Sequence, residues 1–236
     1  MTSTSSLAIA TNIFTAPMEA FEALKDQPRV WFPIVVLVVA YTAVNFAYLY
    51  SVDLPWFMDA QMQATGNQLT EAQREQAADR ASNVSPAFFA VIGSVSTSGF
   101  VLLVMFLTAL YYTGISFVAH DGIKLKQWFA LVAWCTLPTV LGAVAQVVNI
   151  LATDSRFMLQ DEINPLSFGN LLSIDRTGAS IGQRILLGID LTTIWGIVLT
   201  VLGYQAWTKS SIVKSLAVVL GPLALIVVIS SLLTMS

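Results

Sequence analysis

Charge is what this sequence has least of. Of its 236 residues, 11% are Asp, Glu, Lys or Arg and 56% are hydrophobic, where a soluble domain carries roughly a quarter charged residues. Too little charge remains to cover a surface facing water. Cysteine occurs once, as Cys135, and histidine once, as His120. The first excludes an intramolecular disulfide and reads as a buried, inert thiol. The second excludes a paired-histidine metal site and reads as a solvated residue at the end of a span. A net charge of −3 with scattered Lys and Arg excludes a nucleic-acid partner, which needs a basic patch to neutralise phosphates. There is no P-loop glycine string before Lys and no G-x-S-x-G. No enzyme, cofactor or metal is therefore expected. The opening MTSTSSLAIATNIF lacks the basic start and continuous apolar run of a cleaved signal, so the first apolar segment is expected to remain as an anchor.

What is present is a series of uncharged apolar stretches, each about as long as a bilayer crossing requires. They predict an all-α integral membrane protein, a bundle of five transmembrane helices (residues 30–50, 97–119, 128–152, 185–207 and 216–233) preceded by an N-terminal amphipathic interfacial helix within residues 1–29. Residues 30–236 then form one membrane domain. Trp31, Tyr48 and Tyr50 at the ends of the first span suit the membrane interfaces. The polar segment 51–85 reads as a short exposed helix flanked by turns. The charge-free stretch 87–119 is too long for one straight crossing, and GSVSTSG at 93–99 is the expected break, with 87–92 as a lead-in. Pro138 is expected to kink the third span, because its ring removes a backbone donor and clashes with the preceding turn.

Counting Lys and Arg near the span ends gives the orientation. Lys25, Arg29, Lys124, Lys126, Lys209 and Lys214 lie in short stretches on one side. Arg74, Arg80, Arg156, Arg176 and Arg184 are spread over two longer, acid-containing segments on the other. The denser side predicts an N-terminus inside and a C-terminus outside. Before the first span, Phe14, Met18, Phe21 and Leu24 fall at helical spacing opposite Glu19, Glu22 and Lys25, with Thr15 as a cap and Pro17 in the first turn. This apolar stripe either lies on the inner leaflet as a partner surface or packs against the bundle.

Asp190 is the one acidic residue inside an expected span, and an intramembrane carboxylate is costly enough to make function its default reading. At comparable depth the other helices supply Asn45, Gln146 and Asn149, with Ser96, Thr97 and Ser98 leading into the second span. These residues predict a polar cluster in the outer half of the bundle, either a proton- or substrate-handling site or a structural hydrogen-bond knot. A face of small residues on the fourth span, Gly188, Thr192, Gly196 and Gly203, is a candidate partner surface, and packing inside the monomer would use the same residues.

Four stretches carry a resemblance: IFTAPMEAFEALKDQPRVWFPIVV, LKQWFALVAWCTLP, NPLSFGNLL and GIDLTTIWGIVLTVLGYQAWTKSSIVKSLAVV. Their order, with the spaced prolines Pro17, Pro28 and Pro33, the mid-helix Pro138 and the pair Ile194 and Trp195, resembles the Yip domain family, the Ypt/Rab-interacting-protein relatives, in a compact bacterial-type form. The resemblance covers nearly the whole chain. It implies a five-span helical module with a cytoplasmic N-terminus. Eukaryotic relatives act in vesicle traffic and bind small GTPases through a longer N-terminal region; only residues 1–29 precede the first span here, so that activity is not carried over. Some bacterial relatives are associated with ABC-type exporters that carry a periplasmic adaptor.

The leading expectation is a non-enzymatic module in the lipid bilayer acting through a partner, an ABC-type permease or periplasmic adaptor, or through self-association, as an accessory subunit in transport. The rivals are a small carrier or channel around Asp190 and a stand-alone membrane-organising protein.

Overall fold

The computed structural model describes residues 5–64, 70, 79, 85–174 and 181–235. Among them the chain is helical without a named strand. Two short helices open it, α1 (Ser6–Thr15) and α2 (Pro17–Asp26). The Ser5 hydroxyl caps α1 by accepting from the Ala8 amide at 3.1 Å, and Pro17 takes the first position of α2, where its missing N–H costs nothing. The N-terminal stripe is therefore carried by two helices instead of one.

Three apolar units follow that are long enough to cross a membrane: α3 (Trp31–Ser51), α5 (Pro86–Ala119), and α6 (Leu125–Cys135) continued by α7 (Thr139–Ala152). Between the first two lies α4 (Leu54–Ala64). The short α8 (Phe168–Leu171) and α9 (Ile181–Leu187) precede α10 (Leu191–Thr208), and α11 (Ile212–Met235) closes the chain. The short apolar stretch of α11 reaches from Ile212 to Ala224. Trp31–Ser51 matches the expected first span to within one residue, and the residues of the expected fifth span, 216–233, lie within α11.

Two boundaries differ from the sequence reading. The expected break at 93–99 does not occur, and α5 runs unbroken for 34 residues. The small residues there let α3 come close: a Cβ on Gly93 would lie 3.1 Å from Asn45 Oδ1. The Ser94 hydroxyl donates back to the Ala90 carbonyl at 2.6 Å, so it spends its donor inside the helix. The stretch 185–207 is not one helix either. It divides between α9 and α10, with Asp190 extended between them (φ −123°, ψ 171°).

At Pro138 the chain turns through residues 136–138, separating α6 from α7. The interruption leaves few loose groups. The Thr136 carbonyl accepts from both the amide and the hydroxyl of Thr139, and Tyr41 on α3 shares a 2.9 Å hydrogen bond with that hydroxyl.

Helix α3 packs on α5 and α7, α6 packs on α5, and α10 packs on α2, α6, α7 and α11. The bundle therefore has two distinct ends. One gathers α2, the α5–α6 connection and the α10–α11 turn around a core of Phe21, Leu24, Tyr112, Trp128, Tyr204 and Trp207. The other gathers the end of α3, the start of α5 and the 153–174 segment around Tyr48, Leu49, Ala90, Ile150 and Ile163.

Candidate functional site

Asp190 sits on the residue before α10, where a carboxylate can accept from the exposed amides of the first turn. Its Oδ1 accepts from the Thr193 amide at 2.7 Å and the Thr192 hydroxyl at 2.8 Å. Its Oδ2 accepts from Asn164 Nδ2 at 2.8 Å. The backbone adds a short bridge between Ser167 and Asp190, with Phe168 N donating to Ile189 O and Leu191 N to Leu166 O. Helix α7 contributes bare backbone at this point. A Cβ on Gly142 would lie 3.0 Å from Thr192 Oγ1 and 3.1 Å from Asp190 Oδ2, so the glycine eases the close approach of the helix to the buried carboxylate.

Burial alone would raise the Asp190 carboxyl, but the hydrogen bonds from Asn164, the Thr193 amide and Thr192 outweigh it and hold the group below the usual carboxylate value. Three donors and no acceptor suit the ionised form. Chemically this is a knot tying the NPLSFGN stretch to the start of α10. Asn170 extends it by donating to the Glu162 and Asn164 carbonyls.

The cluster expected around Asp190 is not assembled. Asn45 donates to its own helix at the Tyr41 carbonyl and packs at Gly93. Asn149 donates to the Ile163 carbonyl at 3.0 Å, anchoring the 153–174 segment. Gln146 is half-buried on α7. Of the serine–threonine stretch, Ser96 is exposed and Thr97 half-buried, and Ser98 Oγ is buried without a hydrogen-bond partner among the described residues. The physical reason is the helix boundary: at a helix start Asp190 turns to local amides and to the loop instead of across the bundle. Asn164, its main side-chain partner, went unmarked because it lies 26 residues away. Its sequence signals are the turn-forming Asn-Pro pair and its place at the head of NPLSFGNLL, and neither points to Asp190.

The small-residue face of α10 is used inside the monomer. Thr192, Gly196 and Gly203 are buried; a Cβ would lie 2.7 Å from the Cys135 carbonyl at Gly196 and 2.5 Å from Leu131 Cδ1 at Gly203. Gly188 alone of the four is exposed. The N-terminal stripe of α1 and α2 divides similarly. Phe21 is fully buried and unavailable to a partner, whereas Phe14 and Met18 are exposed.

Helix α2 and the residues just after it are held by side chains reaching their carbonyls from two other elements, α6 and α10. Trp207 Nε1 donates to Phe21 O at 2.9 Å, Gln127 Nε2 to Lys25 O at 2.8 Å, and Trp134 Nε1 to Arg29 O at 2.7 Å. Lys25 Nζ returns a bond to Trp207 O. Trp128 stacks on Tyr204 beside this clamp, with ring centroids 5.4 Å apart.

Between the ends lies a cavity of about 340 Å³ bounded by α3, α5, α6, α7, α10 and α11, with hydroxyl-bearing residues that include Tyr41, Thr108, Tyr112, Thr139 and Thr200 in its lining. No charged residue lines it, and several of the hydroxyls donate to carbonyls in their own helices. It suits an uncharged, apolar occupant. Cys135 is buried against it, and His120 Nδ1 lies 3.0 Å from the Val118 carbonyl. Among the described residues no three of His, Cys, Asp and Glu gather to hold a metal.

The Yip1 domain family model matches residues 11–233, from within α1 nearly to the end of α11. The chain belongs to the Yip1 domain family. No curated protein and no solved structure matches it significantly. Both the Asp190 knot and the α2 clamp fall inside the matched Yip1 region. The Yip1 family is one of membrane proteins not known as enzymes, in keeping with the three long apolar units.

Proposed function

We propose that this Yip1-domain protein is a non-enzymatic, five-span module of a bacterial inner membrane, with its N-terminus cytoplasmic, that works by binding another membrane protein. The partner is an ABC-type permease, and the protein is an accessory subunit of that export complex.

The observation that supports a partner is the incomplete packing of α5. This helix is 34 residues long, about 50 Å at 1.5 Å per residue, and packs on α3 and α6 along one side. Its other side presents Phe88, Val91, Val95, Phe100, Leu103 and Phe106 outward. Ser96 and Gly99 lie exposed on the same helix, and a Cβ on Gly99 would meet nothing within 4 Å. Small exposed residues let a second helix approach closely, and close packing is what drives helix association within lipid. The partner surface is thus better sought on α5 than on Thr192, Gly196 and Gly203 of α10.

The carrier reading has less support. Asp190 is already engaged by three donors in a structural knot, and the central cavity has no charged lining. Mild extraction of the tagged, native protein followed by mass spectrometry tests the proposal. A stoichiometric ABC-type permease is expected, and its recovery should fall in Gly99→Leu. A solitary protein that alone moves a solute across liposomes would overturn the partner reading.

A further inference from the structure

At the α2 end of the bundle a second hollow, of about 620 Å³, runs along the outside between α5 and α11. It is lined by Tyr111, Gly114, Ile115, Val118, Ala119 and Lys214. Tyr111 closes one end: the phenol donates to the Val218 carbonyl at 3.1 Å, and a Cβ on Gly221 would lie 2.9 Å from the phenol oxygen. The hydrogen bond bridges the two helices there. From Tyr111 to Ala119 the groove wall extends about 12 Å along the helix. The wall is apolar, and a Cβ on Gly114 would meet nothing within 4 Å.

One charge marks this groove, the ammonium of Lys214, exposed in the first turn of α11. No hydrogen bond or ion pair of that ammonium occurs among the described residues. The Asp121 carboxylate accepts from the Ser116 hydroxyl at 3.1 Å and the Ile123 amide at 3.0 Å. Lys124, Lys126 and Lys209 belong to the same end of the bundle. An apolar groove on the outside of a membrane protein, ending at a lone cation in a basic rim, complements an amphiphile with a negative head.

From these features we infer that the α5–α11 groove is a binding site for an anionic phospholipid. One acyl chain lies along Gly114 and Ile115 beneath Tyr111, and the phosphate meets the Lys214 ammonium. A basic residue at a membrane surface favours an anionic headgroup by a factor of about five, and this sets the size of the effect. The site depends on membrane embedding and not on the identity of any partner protein.

Native mass spectrometry of the detergent-purified full chain, titrated with phosphatidylglycerol, phosphatidylcholine or oleate, tests this. The wild type should retain phosphatidylglycerol about fivefold better than phosphatidylcholine. Lys214→Gln should abolish that preference, while Lys209→Gln, outside the groove, should leave it intact. A Cβ at Gly114 meets nothing within 4 Å, so Gly114→Leu should fill the groove and remove retained phospholipid of both kinds while helical circular dichroism stays unchanged. Equal losses in Lys214→Gln and Lys209→Gln would reduce the effect to general surface attraction and overturn the site. Undiminished binding in both Lys214→Gln and Gly114→Leu would overturn it also. Tighter retention of oleate than of phosphatidylglycerol would replace the phospholipid with a free fatty acid.

Discussion

At the scale of single residues, the meaning of Asp190 turns on three residues of helix boundary. Placed inside a span it would be an expensive intramembrane acid; placed before Leu191 it is a capping residue whose acceptors are filled. Replacing such a cap by Ala costs about 1–2 kcal/mol, and here Asn164 also loses its acceptor. Asp190→Ala should therefore lower the melting temperature in detergent clearly, and Asp190→Asn, an equally good cap, much less. The pH dependence has a fixed sign. Because the folded carboxyl titrates below its ordinary value of 3.8, its stabilisation is present above that value and lost as pH falls through the lower folded value. Acidification below about pH 4 should thus narrow the melting difference between wild type and Asp190→Asn; an unchanged difference would remove the ionised cap from the account. Sequence reading could single out Asp190 by its type, since carboxylates are rare in such surroundings. It could not find Asn164, whose role depends on how a loop folds back across the end of the bundle.

At the scale of elements, the long apolar runs were readable because a bilayer crossing demands length and low charge, and α3, α5 and the α6–α7 unit meet that demand by composition alone. The interruption at 136–138 was readable too, since proline lacks the donor that would continue the helix. Glycine misled, because it can mean either a break or a close approach. Gly93 lies against Asn45 and Gly196 against the Cys135 carbonyl, and both belong to continuous helices. The distinction predicts opposite outcomes. Gly196→Ala sets a methyl 2.7 Å from a backbone oxygen that cannot swing aside, and overpacking of this kind costs roughly 1–3 kcal/mol. Gly99→Ala meets open space and should gain up to about 1 kcal/mol from helix propensity. Thermal melts of the two variants in one detergent check this, and similar shifts would refute the packing role. The α2 clamp is a matter of elements as well. Trp207→Phe keeps the ring but removes the donor to Phe21 O, a loss of about 1 kcal/mol, and limited proteolysis should then cut within residues 6–26 sooner than in wild type.

At the scale of the whole molecule, the two ends of the bundle differ in charge as well as in structure. Lys25, Arg29, Lys124, Lys126, Lys209 and Lys214 all belong to the end that holds α2, while Arg156 and, in α9, Arg184 belong to the other end. Lys and Arg in short connections are retained on the cytoplasmic side, so the α2 end should face the cytoplasm and the 153–174 segment the far side. Helix α10 fits this arrangement. Its 18 residues span about 27 Å, close to the hydrocarbon thickness, from the Asp190 cap at one end to Lys209 at the other. Its threonines and glycines make it less apolar than the three long units, yet they let it sit at the centre of the bundle, against α2, α6, α7 and α11. Counting α10 and α11 as crossings makes five, and an odd number puts the termini on opposite sides. Paired reporter fusions after residues 122, 164, 210 and 236 check this: those at 122 and 210 should be active only in the cytoplasm, those at 164 and 236 only outside. A cytoplasm-active reporter at 236 with the others as expected would leave α11 as a helix that does not cross. Reversal at all four positions would instead invert the protein and carry the Lys214 groove to the other leaflet.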